Sequence, residues 1–271
     1  MIDQILAEAG FKMSVSLVIL TVGLLMCRIL PIVILSPMLG GESTPSEVKI
    51  GLGVLLSIVL FPAVADRVSL VPVSALGFIA VLFKEIFIGL CLSTVVSMVF
   101  EAARAAGTMV DTQAGASQAQ VHVPQVGTQV TIFSSFKLML AVTLFLTLNG
   151  HHVVISALAD SLVVIPLDRF PTFGRGLWPF FDLMMRVFAD MMRVGLALAA
   201  PAMIAAFLTD LALGMINRVA PQLQVFFISM AIKPLVATVM VMLAINAIME
   251  RMHVEFLHSL RLFHDAIELL K

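Results

Sequence analysis

The sequence predicts an all-α fold of polytopic, membrane-associated helical hairpins, and three observations carry that expectation. Hydrophobic residues make up 61% of the 271 residues, only 12% are charged, and mean hydropathy is +1.10. A soluble domain would carry about 25% charged residues. The apolar runs are about 20 residues long, the length a helix needs to span hydrocarbon. Their Leu, Met and Ala content lacks the β-branched and aromatic bias of strands. A net charge of −1 leaves no basic footprint for nucleic acid.

Met13 to Ser36 reads as the first helix, closed by the turn Pro37-Met38-Leu39-Gly40-Gly41. Val15 to Leu35 is too long for a cleaved signal core and no small-residue cleavage pattern follows, so insertion by an internal helix is expected. Val48 to Val64 forms the second helix, and Val73 to about Ala106 a long third run interrupted in character by Lys84-Glu85. Gly107 to Gln129 is expected as a Gly-, Gln- and Ser-rich loop. Val130 to Leu148 and His151 to Ile165 are helical, with Gly150 expected to take a positive φ as a C-cap between them. Pro166 to Pro179 is a connector, and Phe180 to Ile216 and Val225 to Met249 complete the apolar set. Residues 1–249 therefore read as one helical unit and 250–271 as a separate amphipathic helix. In that tail Phe256, Leu260, Phe263, Ile267 and Leu270 step by four and three and share a face. Such a face rests on a membrane surface or on the protein itself; a docking helix for a cytoplasmic partner is the sharper reading.

Asn217 to Gln224 is a polar island between two apolar runs. Pro221 lacks an amide proton and disfavours helix at Ala220, so the chain breaks here. Arg218, Gln222 and Gln224 carry donors and acceptors that hydrocarbon cannot satisfy, which marks a hairpin tip at a membrane edge or inside an assembly. Charges within the runs are costly at mid-bilayer and normally face protein or water: Arg28, Lys84, Glu85, Arg186, Asp190, Arg193, Asp210 and Lys233. Lys84 and Glu85 are adjacent, about 100° apart on a helix, and are not expected to pair face to face. Arg186, Asp190 and Arg193 share a side and can pair.

Catalytic patterns are absent. Asn149-Gly150-His151-His152 holds adjacent histidines that cannot chelate from one helical face, and no GxSxG elbow or GxxxxGK loop occurs. No metal, cofactor or enzymatic activity is expected. Cys27 and Cys91 lack paired spacing and read as packing residues. The loop from Gly107 to Pro124 is the strongest functional candidate on these grounds: small, polar residues between apolar helices suit a solvent loop or a pore-lining gate.

The motif order along most of the chain resembles the FliR family of flagellar export-gate proteins, represented in virulence secretion as SctT. The matching stretches are Arg28 with Pro37, Pro45-Ser46-Glu47-Val48-Lys49-Ile50-Gly51-Leu52, Ala106-Gly107, and Asp111-Thr112-Gln113-Ala114-Gly115-Ala116-Ser117. Phe145-Leu146-Thr147-Leu148-Asn149-Gly150-His151, Leu211-Ala212-Leu213-Gly214, Arg218 to Phe226, and Lys233 follow. The resemblance implies a core subunit of a type III export gate. With FliP-like and FliQ-like subunits, and a FlhB-like neighbour, it would form a gated channel for unfolded export substrates in the bacterial inner membrane. It implies stacked hairpins without catalysis, in a flagellar basal body or a secretion apparatus. A plug or gate role falls on Gly107, Asp111, Gln113, Gly115, Ser117, Gln118, Gln120 and Pro124. Subunit contact falls on Arg28, Asn149, His151, Arg218, Pro221, Gln222 and Lys233. Three positions depart from the family pattern: Val123 stands where an Asp usually precedes the Pro, Gln118 and Gln120 replace apolar plug residues, and Gln224 replaces an Asn. The flagellar branch is favoured over the virulence branch. The alternative is a secondary transporter or proton channel using Arg186, Asp190 and Arg193.

Overall fold

A computed structural model of the chain describes residues 15–39, 44–65, 75–115, 132–171, 176–222 and 224–270. Among these residues the regular elements are helices, and no strand occurs. The helices are α1 (Val15–Leu35), α2 (Ser46–Leu60), the one-turn α3 (Pro62–Ala65), α4 (Ala75–Gln113), α5 (Ile132–Thr147), α6 (Gly150–Val164), α7 (Leu177–Val219) and α8 (Val225–Leu269). A 3-10 turn, Pro37–Leu39, follows α1. By length and composition α1, α4, α7 and α8 can each cross a membrane; α5 and α6, bent by 70° at their junction, would make a fifth span if counted together.

Three sequence expectations change. First, α4 does not stop near Ala106 but continues to Gln113 and ends on Gly115, whose φ of 72° is the left-handed C-cap conformation. The Ala114 amide donates to the Val110 carbonyl and the Gly115 amide to that of Thr112. Gly107 is inside this helix because packing needs its missing side chain: a Cβ there would land on the Ser134 backbone. Second, the tail is not a separate helix, since α8 runs through Glu250 without a break to Leu269. Third, the positive φ between α5 and α6 belongs to Asn149, at 55°, and not to Gly150. Asn tolerates this region through its short polar side chain, while Gly150 starts α6 and is buried.

The chain divides into two compact units. One comprises residues up to 97, 149–187 and 259–271; the other comprises 98–148 and 188–258. In the first unit α1 packs on α2 and α4. Pro31 lies inside α1 and removes an intrahelical donor, and Ser93 of α4 donates to the Pro31 carbonyl at 3.2 Å. Gly89 lets the Arg28 carbonyl lie against the α4 backbone, where a Cβ would collide with it. Gly89→Ala is therefore expected to push α1 from α4 and cost about 1–3 kcal/mol as overpacking, read as a lower unfolding midpoint in detergent. An unchanged midpoint would show that the contact has slack. The end of α8 lies in this unit, where Phe263, Ala266, Ile267 and Leu270 are buried and Ser259 donates to the Val95 carbonyl at 2.8 Å.

In the second unit Phe100 of α4, Phe145 of α5 and Phe256 of α8 form a buried triangle with ring centroids 5.1–5.3 Å apart. Gly195 of α7 fits against Ala102 of α4. The tail's apolar face is thus spent inside the chain: Phe256 in one unit, Phe263 and Ile267 in the other.

Candidate functional site

The first unit encloses a cluster of charges. Arg28 and Glu85 have no exposed surface. Arg28 Nε donates to Glu85 Oε2 at 2.5 Å and a terminal nitrogen to Oε1 at 3.0 Å, a two-pronged ion pair. Its remaining donors meet the Ser161 and Ile165 carbonyls at the end of α6, each at 3.0 Å. Lys84 Nζ lies 2.6 Å from Glu85 Oε1 and donates to the carbonyls of Pro166, Leu167 and Arg169 at 2.9–3.1 Å. The adjacent Lys84 and Glu85 therefore do pair, against expectation. Glu85 is pinned by Arg28 from another helix, and the flexible lysine stem swings to meet it. Two cations share one carboxylate, and the carbonyl end of α6 with its following turn supplies the remaining negative potential. This arrangement ties α1, α4 and the start of the 166–179 connector together. Arg28, expected at a subunit contact, is instead internal, with no accessible surface.

The second unit holds two polar joints. Asp111, 1% exposed, accepts from the backbone amides of Phe133 and Ser134 at 3.1 Å each. These are among the first amides of α5, which have no partner within their own helix. Ser134 Oγ donates to the Arg104 carbonyl at 3.2 Å. Lys137, also without exposed surface, donates to the Leu198 carbonyl of α7 at 2.9 Å. The sequence reading overlooked Lys137; a lone Lys in an otherwise apolar run was the available clue.

The third feature is the hairpin of α7 and α8. In the most apolar stretch of α8 only 11% of residues are buried, against 50% for α4. Phe207, Leu208, Leu211, Phe226, Leu235 and Leu243 are all more than half exposed or nearly so. Asp210 and Lys233 form an ion pair across the hairpin and remain 37% and 21% exposed. At about 1.5 Å per residue they lie roughly 13 Å from the tip, near mid-depth of a hydrocarbon layer about 30 Å thick if the tip sits at its edge. At the tip Pro221 breaks the helix, the Ala220 amide still reaches the Ile216 carbonyl, and Gln224 offers its carbonyl to the Phe227 amide. Arg218, Pro221, Gln222 and Gln224 are exposed there. Asp210, Asn217, Pro221, Gln224 and Phe226 help line a groove of about 550 Å³.

Other expected site residues separate. Gly107, Asp111, Gln113 and Gly115 belong to α4 or its cap. Ser117, Gln118, Gln120 and Pro124 lie outside the described residues. Asn149 is exposed at the α5–α6 bend, and the buried His151 Nδ1 has no hydrogen-bond partner among the described residues. The trio on α7 does not form one network. Arg186 pairs with Asp182 at 2.7 Å, whereas Asp190 pairs with Arg193 at 2.8 Å and lies 3.5 Å from His258. Among the described residues no group of three or more His, Cys, Asp or Glu side chains could hold a metal ion.

The description "Bacterial export proteins, family 1" fits residues 19–259. The chain belongs to this family. It is similar to the flagellar biosynthetic protein FliR of Bacillus subtilis, 30% identical over 226 residues that cover 83% of this chain and 86% of that one. FliR of Pectobacterium carotovorum is 33% identical over 205 residues, 76% of each chain. Yop proteins translocation protein T of Yersinia pestis is 29% identical over 226 residues, 83% of this chain and 85% of that one. The resemblance read from the motifs is therefore real, and it spans both flagellar and virulence relatives. For a bacterial export protein of family 1, the buried charges, the α4–α5 joint and the exposed α7–α8 hairpin lie inside the matched region.

Proposed function

We propose that this chain is a core subunit of a type III protein export gate, in the flagellar branch, embedded in the bacterial inner membrane. In this reading FliP-like and FliQ-like subunits surround it, a FlhB-like subunit adjoins it, and unfolded substrates pass through the shared channel. The observation that carries the reading is the α7–α8 hairpin. Its arms expose large apolar side chains, yet Asp210 and Lys233 stay partly open, about two and a half turns from the tip. A lipid-facing hairpin would place these charges at a cost of a few kcal/mol near the bilayer centre. Neighbouring helices accept both features, because they bury the apolar arms and supply polar partners to the pair. Arg218, Pro221, Gln222 and Lys233 are the contact residues on this view, with Asn149 and His151 at a second contact near the α5–α6 bend. The plug role belongs to the segment beginning at the end of α4, with Gln113, Gly115, Ser117, Gln118, Gln120 and Pro124.

Co-purification tests it. The wild-type chain is expected to copurify with FliP-like and FliQ-like subunits, and Lys233→Ala, which leaves the partly exposed Asp210 without this partner, to lower the recovered complex at least about fivefold, as for loss of one or two kcal/mol. A stable, lipid-embedded monomer in normal yield would sink the proposal. The transporter or proton-channel reading has weaker support, because Arg186 and Asp190 engage different partners.

A further inference from the structure

We propose that Asp111 is a positioning residue that caps α5 from α4 and thereby holds the resting form of the gate; this rests on the plug reading above. The chain leaves α4 after Gln113 and re-enters helix at Ile132. Asp111 and the Phe133 amide, 22 residues apart, meet at 3.1 Å, and the second carboxylate oxygen takes the Ser134 amide. An N-cap normally comes from the residue just before a helix. Here the acceptor comes from another helix, so the same bond that satisfies the amides also fixes both ends of the intervening segment.

Two further contacts define the joint. Gly107, one turn before Asp111, brings the α4 backbone against Ser134, and Ser134 Oγ closes on the Arg104 carbonyl. Lys137, one turn beyond the capped amides, ties α5 to the Leu198 carbonyl of α7. The start of α5 is thus held on one side by a carboxylate and on the other by an ammonium. No member of the joint belongs to the intervening segment itself. The joint sets where that segment begins and ends without entering it.

The test uses the chain assembled with its partner subunits in membranes, with two readouts: hydrogen exchange at the Phe133 and Ser134 amides, and proton leak in inverted vesicles followed by a pH-sensitive dye. In Asp111→Ala both amides should exchange at least about fivefold faster, as expected for a lost cap, and the leak should rise. Gly107→Ala leaves the carboxylate in place but pries the same joint, and should move both readouts in the same direction. Asp111→Asn keeps one acceptor oxygen but turns an NH2 donor toward the other amide, so it should speed exchange at one of the two amides and leak less than Asp111→Ala. Deleting Gly115 to Gln120 serves as the control for the plug reading. Unchanged exchange in Asp111→Ala, or wild-type exchange at both amides in Asp111→Asn, would overturn the assignment. A leak from the deletion with none from Asp111→Ala would also overturn it while leaving the plug reading intact. If the deletion itself does not leak, the plug reading fails.

Discussion

Glu85→Ala is expected to destabilise the protein by about 3–5 kcal/mol, the range seen when one partner of a buried ion pair is removed. The carboxylate is shared by Arg28 and Lys84, both of which would remain enclosed. Arg28 would keep the Ser161 and Ile165 carbonyls, and Lys84 those of Pro166, Leu167 and Arg169. Carbonyl dipoles solvate a cation but do not neutralise it, so two positive charges would face each other in a low-dielectric interior. Glu85→Gln keeps an acceptor and loses the charge, and should fall between wild type and Glu85→Ala. Replacing Arg28 and Glu85 together by Met should recover part of the loss, since an apolar pair of similar volume removes the uncompensated charge. Titration with a denaturing detergent reads these differences as shifts in the unfolding midpoint. A Glu85→Ala midpoint within about 1 kcal/mol of wild type would mean that the α6 carbonyls alone stabilise both cations, outside the usual cost of breaking such a pair.

Phe256→Ala is the second large effect, expected at about 3–5 kcal/mol for a large-to-small change in a close-packed core. Phe256 touches both Phe100 and Phe145, with centroids 5.3 and 5.1 Å away, so its removal leaves a cavity bounded by two other rings. Truncation also forfeits the aromatic geometry, worth roughly 0.5–1.5 kcal/mol per pair beyond area. Because α8 runs unbroken through Glu250, loosening Phe256 should speed exchange on both sides of that residue, in Asn246 to Met249 as well as in Leu257 to Leu269, whereas an independent tail helix would leave Asn246 to Met249 unaffected. Hydrogen exchange separates the two outcomes. Faster exchange confined to residues beyond Glu250 would restore the tail as an element of its own.

The contrast between those residues shows what was legible beforehand. The step of four and three from Phe256 to Leu270 revealed the buried face of the tail, because spacing on one helix is a local property. The composition change at Glu250 was misread as a boundary. Charged residues on the outer face of a helix do not end it when its inner face is still packed, and Glu255, though charged, is itself buried beside Arg251. Gly107 was misread for the related reason that glycine marks either a loop or a close backbone approach. Only the position of Ser134, 27 residues later, decides between them.

Local chemistry alone determined that this chain is helical and apolar enough to span a membrane, that Pro221 ends one long helix and permits the next, and that an ordered set of motifs marks an export family. Each of these depends on residues within a turn or two, or on their order along the chain. The tertiary structure decided which charges are internal. Arg28 finds Glu85 57 positions away and Ser161 133 positions away, and no helical wheel contains either distance. A buried charge is stable only where partners from several helices converge. That convergence placed Arg28 inside the protein and left Arg218 exposed at the hairpin tip.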